Sequence, residues 1–215
     1  MNKETNIVII SGVLSEVKKS HHVYGEEFYE GMVSVPRSSG AIDTIPVLIS
    51  ERLINPVECE GKSIQVFGQF RSYNRHEVDK NRLVLSVFAR EVSFAEEGNE
   101  KVKSNQIFLD GYICKPPVYR ETPFGREIAD MLLAVNRSYG KSDYIPCICW
   151  GRNARFVDGI EVGTHIKITG RIQSREYRKR ISEDEYETKT AYEVSISKLE
   201  VIDGEECKDQ VADAE

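Results

Sequence analysis

Residues 6–94 of this chain return, with substitutions, as residues 105–202. The run from Gly25 to Val33-Ser34-Val35-Pro36-Arg37-Ser38-Ser39-Gly40 returns as Gly125 onward and Leu133-Ala134-Val135-Asn136-Arg137-Ser138-Tyr139-Gly140. Asp43-Thr44-Ile45-Pro46-Val47-Leu48-Ile49-Ser50 returns as Asp143-Tyr144-Ile145-Pro146-Cys147-Ile148-Cys149-Trp150, and Arg52 as Arg152. The spacing exceeds the roughly 20–50 residues of solenoid repeats and suits a whole domain. The chain therefore reads as a first domain over 1–95, a charged linker over 96–104, a second domain over 105–202 and an acidic tail over 203–215. Each copy is the control for the other, so what one has gained or lost is informative.

Period-2 alternation of apolar residues dominates both copies and predicts strands. The first strand carries Ile7, Ile9 and Val13 around Gly12, or Ile107, Leu109 and Ile113 around Gly111, with a bend at the glycine. The second is expected at 27–37 and 126–137, and the third at 43–50 and 143–150 after a turn ending in Gly40 or Gly140. Glu51–Glu58 and Gly151–Asp158 read as a short helix. The fourth strand is expected at Ser63–Phe70 and His165–Ile172, and the fifth at Leu83–Phe94 and Ala191–Ile202. Five strands with a helix between the third and fourth describe a small closed barrel. The fold class is thus all-β with short helices, as two tandem five-stranded OB-fold barrels. The adjacent His21 and His22 fall in the loop after the first strand, while Phe67 and Phe70 read as packing residues.

The formal charge of −6 at first argues against nucleic acid. Six acids against Lys208 in residues 203–215 account for most of it, whereas residues 105–202 hold 15 basic and 14 acidic residues. Arg171, Arg175, Arg178, Lys179 and Arg180 crowd into ten residues opposed only by Glu176. No apolar run approaches the roughly 18–20 residues of a membrane span. The N-terminus leads directly into the first repeat, so no signal peptide is expected. Five cysteines without a CxxC pair, remote from the four histidines, suit neither a zinc site nor a disulfide framework and point to the cytoplasm. Cys147 and Cys149 share a strand face with Ile145 and read as small core residues. No phosphate loop, carboxylate cluster or catalytic triad suggests an enzyme, and no cofactor is expected.

The copies differ most in their aromatics. Tyr139, Tyr144, Trp150 and Tyr177 stand where the first copy has Ser39, Thr44, Ser50 and Arg75. Alternation puts Tyr144, Pro146, Ile148 and Trp150 on one strand face, which the first copy leaves partly polar. Exposed rings on a barrel face offer nucleotide bases a flat stacking surface, worth roughly 1–3 kcal/mol per base, while nearby cations track the phosphates. Arg152, Arg171, Arg175, Arg178, Lys179 and Arg180 supply those cations.

These residues carry a resemblance. The second copy resembles the bacterial single-stranded DNA-binding proteins across Asn105–Gly111, Leu133–Arg137, Asp143–Ala154 and Gly170–Tyr177, the third segment being the most specific. The resemblance implies an OB fold and sequence-tolerant coating of single-stranded DNA in replication, recombination and repair, on the nucleoid. It implies base stacking at Tyr139, Tyr144, Trp150 and Tyr177, and a cationic role for Arg152. It also implies assembly to four barrels, which two copies of this chain would supply, and recruitment of replication proteins through an acidic end. The present end, Gln210-Val211-Ala212-Asp213-Ala214-Glu215, lacks the aromatic tip of such tails. The first copy keeps the framework without the stacking residues, so the second is the expected binding domain. Two other readings stay open: a primosome-type protein-interaction scaffold with weak DNA binding, and an RNA-binding module.

Overall fold

The computed structural model describes residues 4–77, 80–94, 104–180 and 186–202, so the linker expected at 96–104 lies, all but Ser104, outside the described residues, as does the tail at 203–215. The first barrel contains β1 (Asn6–Val23), β2 (Glu26–Pro36), β3 (Ile42–Ser50), β4 (Ser63–Glu77) and β5 (Lys80–Phe94). The second contains β6 (Asn105–Ile113), β7 (Val118–Glu121), β8 (Glu127–Asn136), β9 (Ser142–Trp150), β10 (His165–Arg180) and β11 (Tyr186–Val201), with helix α1 at Arg152–Val157. The strand order β2-β3-β5-β4-β1 closes through β1–β2, and β6-β10-β11-β9-β8 closes through β6–β8. Alternation fills each interior with branched aliphatics: Val8, Ile10, Ile45, Val47 and Ile64 in the first, and Ile107, Leu109, Ile145, Ile166 and Ile168 in the second. Phe70 is fully buried while Phe67 is half-buried.

Both mid-strand prolines have a topological explanation. Pro46 and Pro146 pair on one side with Met32 and Leu132. On the other side the parallel closing ladders begin one residue later, at Val47 and Cys147, and last two residues each. The missing N–H thus falls just before pairing on that side begins. Gly68 and Gly170 mark register shifts in β4–β5 and β10–β11. A Cβ on either would stand 2.2 or 2.3 Å from the carbonyl oxygen of Phe88 or Ser195, so only glycine lets the partner strand come this close.

The structure departs from the sequence reading in three places. Glu51–Glu58 forms successive turns rather than a helix, because Pro56 drives Asn55 out of the α region. Phe156 stands at the matching place in the second copy, and there the helix forms. The fourth and fifth strands run past the barrels into two-stranded arms that pair as far as Glu77–Lys80 and Arg180–Tyr186. Finally, His21 and His22 are not in a loop. β1 pairs with β2 to its end, and His21 stacks on Phe28 with ring centroids 5.0 Å apart. In the second barrel Pro116 and Pro117 interrupt the same stretch, dividing it into β6 and β7.

A pseudo-twofold relation joins the two barrels. β1 and β6 pair antiparallel, with Asn6 opposite Leu109, Val8 opposite Ile107 and Ile10 opposite Asn105. Each pairing maps onto its mirror when the copies are exchanged, as in an isologous dimer interface. Asn6 holds the backbone of Phe70, donating at 2.7 Å and accepting at 2.9 Å, and Asn105 holds Ile172 with the same two distances. Across the seam, the Ser174 N–H donates to Asp43 at 2.8 Å and the Thr44 N–H donates to Ser174 Oγ at 3.1 Å. Reciprocally, the Ser72 N–H donates to Asp143 at 2.6 Å and the Tyr144 N–H to Ser72 Oγ at 2.7 Å.

The two clamps are not equally compensated. Asp43, 1% exposed, accepts a bidentate pair from Arg37 and a further bond from Arg171 at 3.1 Å. Asp143 is fully buried and has Arg137 Nε at 3.1 Å, outside hydrogen-bond geometry. Burial pushes the Asp143 carboxyl above the usual carboxylate range, against the pull of the Ser72 N–H and Arg137. Asp43→Asn leaves two guanidiniums without their anion and is expected to cost about 3 kcal/mol, the lower end for a broken buried pair. Asp143→Asn keeps an acceptor for Ser72 and removes a charge already penalised by burial, so it should cost clearly less. Chemical denaturation of the two variants compares them directly.

Candidate nucleic-acid interface

Tyr144 and Trp150 stand on the outer face of β9, six residues or roughly 20 Å apart at strand rise. They are 45% and 39% exposed, whereas Ile145, Cys147 and Cys149 on the alternate face are buried. Burial pushes the Cys149 thiol up to about 12 and the Cys147 thiol well above its ordinary value, so both are inert packing groups. Ile148, between the two rings, is itself buried. The Trp150 Nε1–H donates to Ser195 Oγ at 3.2 Å, which fixes the rotation of the indole. Tyr139 projects from a 3-10 turn over Ser138–Gly140 that leads into β9. Its backbone is left-handed (φ 66°), and its ring is 99% exposed. A tyrosine held in that region without packing is costly for a turn alone.

The remaining expected residues divide between the arm and the seam. Arg175, Tyr177, Arg178, Lys179 and Arg180 are exposed along the β10–β11 arm, where Arg175 Nε lies 3.8 Å from Glu193. Arg152 is exposed at the start of α1, two residues beyond Trp150. Arg171 lies apart from them: its guanidinium bonds Asp43 of the other barrel and Gln173 at 3.1 Å each. Burial and the nearby Arg37 lower its pKa despite Asp43.

Between the two arms lies a cleft of about 1040 Å³ lined by both barrels. Tyr177, Lys179 and Lys189 face it from one side, and Tyr73, Lys18 and Lys19 from the other, with Pro46 and Pro146 at its floor. Of the four expected rings only Tyr177 enters this cleft; Tyr144 and Trp150 line the adjoining β9 face. Tyr73 is the residue that position-by-position comparison missed. The first arm reads Tyr73-Asn74-Arg75 and the second Arg175-Glu176-Tyr177, so ring and cation have exchanged places on one strand face. Tyr73 is 44% exposed, and Arg75 donates to its hydroxyl at 3.2 Å.

Both clamps end where the arms begin. Asp143 grips Ser72 one residue before Tyr73, and Asp43 grips Ser174 one residue before Arg175. Each arm is therefore anchored to the opposite barrel. The cleft takes its lining from both arms and, through Pro146, from β9.

The model of the "Single-strand binding protein family" matches residues 104–202. "Single-stranded DNA-binding protein 1" of Staphylococcus aureus (strain COL) is 35% identical over 83 residues, covering 35% of this chain and 50% of that protein. "Single-stranded DNA-binding protein B" of Bacillus subtilis (strain 168) is 33% identical over 91 residues, covering 39% of this chain and 80% of the relative. Against the first of these the chain thus spans only half the relative's length. A crystal structure of a deletion mutant of the single-stranded DNA binding protein from Thermus aquaticus superposes with a TM-score of 0.67 at 18% identity. That superposition covers 94% of this chain and 96% of the other, a likeness of the whole two-barrel fold. The family match falls on the barrel whose β9 bears Tyr144 and Trp150, and four fifths of the subtilis relative aligns with this chain at 33% identity; the chain belongs to the single-strand binding protein family.

Proposed function

We propose that this protein coats single-stranded DNA without base preference, as a non-enzymatic binder serving replication, recombination and repair on the nucleoid of the cytoplasm. The observation that carries the reading is the exposure of Tyr139, Tyr144, Trp150 and Tyr177 on a barrel that also bears a basic arm. Bases stack on these rings whatever their identity, and the phosphates follow Arg152, Arg175, Arg178, Lys179 and Arg180. Arg171 is assigned to the seam, where it secures the arm's base through Asp43. The names of the relatives support DNA as the ligand and leave a protein-interaction scaffold or an RNA module as the less favoured readings.

The outer face of β1 and β6 supports a further part of the proposal. Ile7, Ile9 and Phe108 are half-buried there, on the side opposite the barrel cores, and suit packing against a second copy. Two chains would bring four barrels together.

Trp150 is the chain's one tryptophan, so oligo(dT) should quench its fluorescence at low salt, and the effect should weaken as salt rises. Absence of both quenching and a gel shift at micromolar strand would return the scaffold reading. Oligo(U) should compete less well than oligo(dT); equal or better competition would favour RNA. Trp150→Ala and Tyr177→Ala should each weaken binding by roughly 1–3 kcal/mol. Lys179→Gln should shallow the log–log salt dependence by about 0.7, the share of one single-strand phosphate contact. Arg171→Gln should lower the melting temperature and leave that slope unchanged.

A further inference from the structure

Ser50 of the first barrel stands where the second has Trp150, and its side chain is only 6% exposed, donating to Glu26. Its neighbours on the same outer face are aromatic. Phe28 pairs directly with Ser50 across β2–β3, and Phe88 pairs with Leu48 across β3–β5. The matching residues around Trp150 are Ile128 and Ser195. The first barrel has therefore not lost aromatic surface at this spot. It carries the surface on β2 and β5 where the second carries it on β9.

The rings and the planar cation of this patch form a contiguous series. His21 stacks on Phe28 at 5.0 Å and 6° between planes, and Phe28 and Phe88 are 6.1 Å apart at 31°. The Arg71 guanidinium lies over the Phe88 ring, 3.9 Å from its centroid. Arg71 is oriented by Gln69, to which it donates at 2.9 and 3.3 Å, and burial together with Arg137 lowers its pKa while leaving it a cation at neutral pH. The series begins beside the interdomain cleft, whose lining includes His21 and Tyr73. His21 is exposed while Phe28, Phe88 and Arg71 are half-buried, and planar rings with a guanidinium are the chemistry that accepts an unpaired base and its phosphate.

We infer that the first barrel holds a second stacking site for unpaired nucleotides, built from His21, Phe28, Phe88 and Arg71, and that a strand leaving the Trp150 face crosses the cleft to reach it. This rests on the proposed single-strand binding and extends it to a barrel that aligned positions alone mark as empty. It also gives Tyr73 a role, as the step between the two faces.

The double variant Phe28→Ile, Phe88→Ser gives the first barrel the residues that the second accommodates at the same places, and its thermal unfolding is followed to establish that it folds. Binding is measured with oligo(dT) long enough for one barrel and for two, about 12 and 30 nucleotides given the 4–16 nucleotides a single OB fold occupies. Affinity for the long strand should fall by roughly 5- to 150-fold, the loss of a stacked base. Affinity for the short strand, and Trp150 quenching by it, should stay as in the wild type. Arg71→Gln, which keeps a planar group but no charge, should weaken long-strand binding in the same direction and lessen its salt dependence. Unchanged long-strand affinity in both variants, with wild-type quenching intact, overturns this inference alone. A wild-type protein that neither strand quenches or shifts overturns the single-strand reading and this site with it.

Discussion

Two buried aspartates hold the working parts of this molecule in place. Asp43 and Asp143 each reach out of their own barrel and take a backbone N–H from the other, at Ser174 and Ser72. A carboxylate buried this deeply is tolerable only when its lone pairs are met by donors or cations. Arg37 and Arg137 meet part of this need from within each barrel, and the Ser174 and Ser72 N–H groups and Arg171 meet the rest from the neighbouring one, so orientation between barrels and satisfaction of the buried charge are linked. The β1–β6 ladder continues the sheet through the same seam, with the Ser11 N–H bonded to Ser104 and the Asp110 N–H to Thr5, both at 2.8 Å. Sheet continuity fixes the translation of one barrel against the other, and the clamps fix the lateral position of the arms.

From this frame the chemistry of the surface follows. The arms leave the barrels immediately after the clamped serines, so their tyrosines and cations face each other across the cleft at set positions rather than on free hairpins. The rings on β9 are placed by strand alternation from a core face of Ile145, Cys147 and Cys149 that cannot rotate outward without emptying the interior. A surface prepared in this way binds with less ordering cost than a set of mobile loops would.

The sequence made the barrels legible because each appears twice and the period-2 pattern agrees with itself. It revealed Tyr144 and Trp150 through alternation, and Tyr177 through the contrast with Arg75. Arg171 was grouped with the other cations because linear charge density says nothing about a partner 128 residues away. The clamp itself left a trace, since Arg37 and Asp43 recur as Arg137 and Asp143, but conservation between repeats does not distinguish a turn residue from a contact across a seam. The site proposed at Phe28 and Phe88 is hidden from aligned positions for a more general reason. Aligned positions compare residues along a strand, whereas a surface patch is assembled across strands, and a ring can move to the neighbouring strand without leaving the patch. The helix expected at Glu51–Glu58 failed on a single residue, Pro56, whose effect is local and was readable.

Val8 and Ile107 face each other at the centre of the seam, so the molecule is built like a dimer whose halves share one polypeptide. In a true homodimer any substitution appears on both sides of the axis at once. Here it appears on one. Arg171 and Gln69 occupy equivalent places, as do Arg75 and Tyr177, without either having to suit both contexts. Fusion of the two genes' worth of barrel into one chain thus lets one half specialise while its mate keeps the geometry.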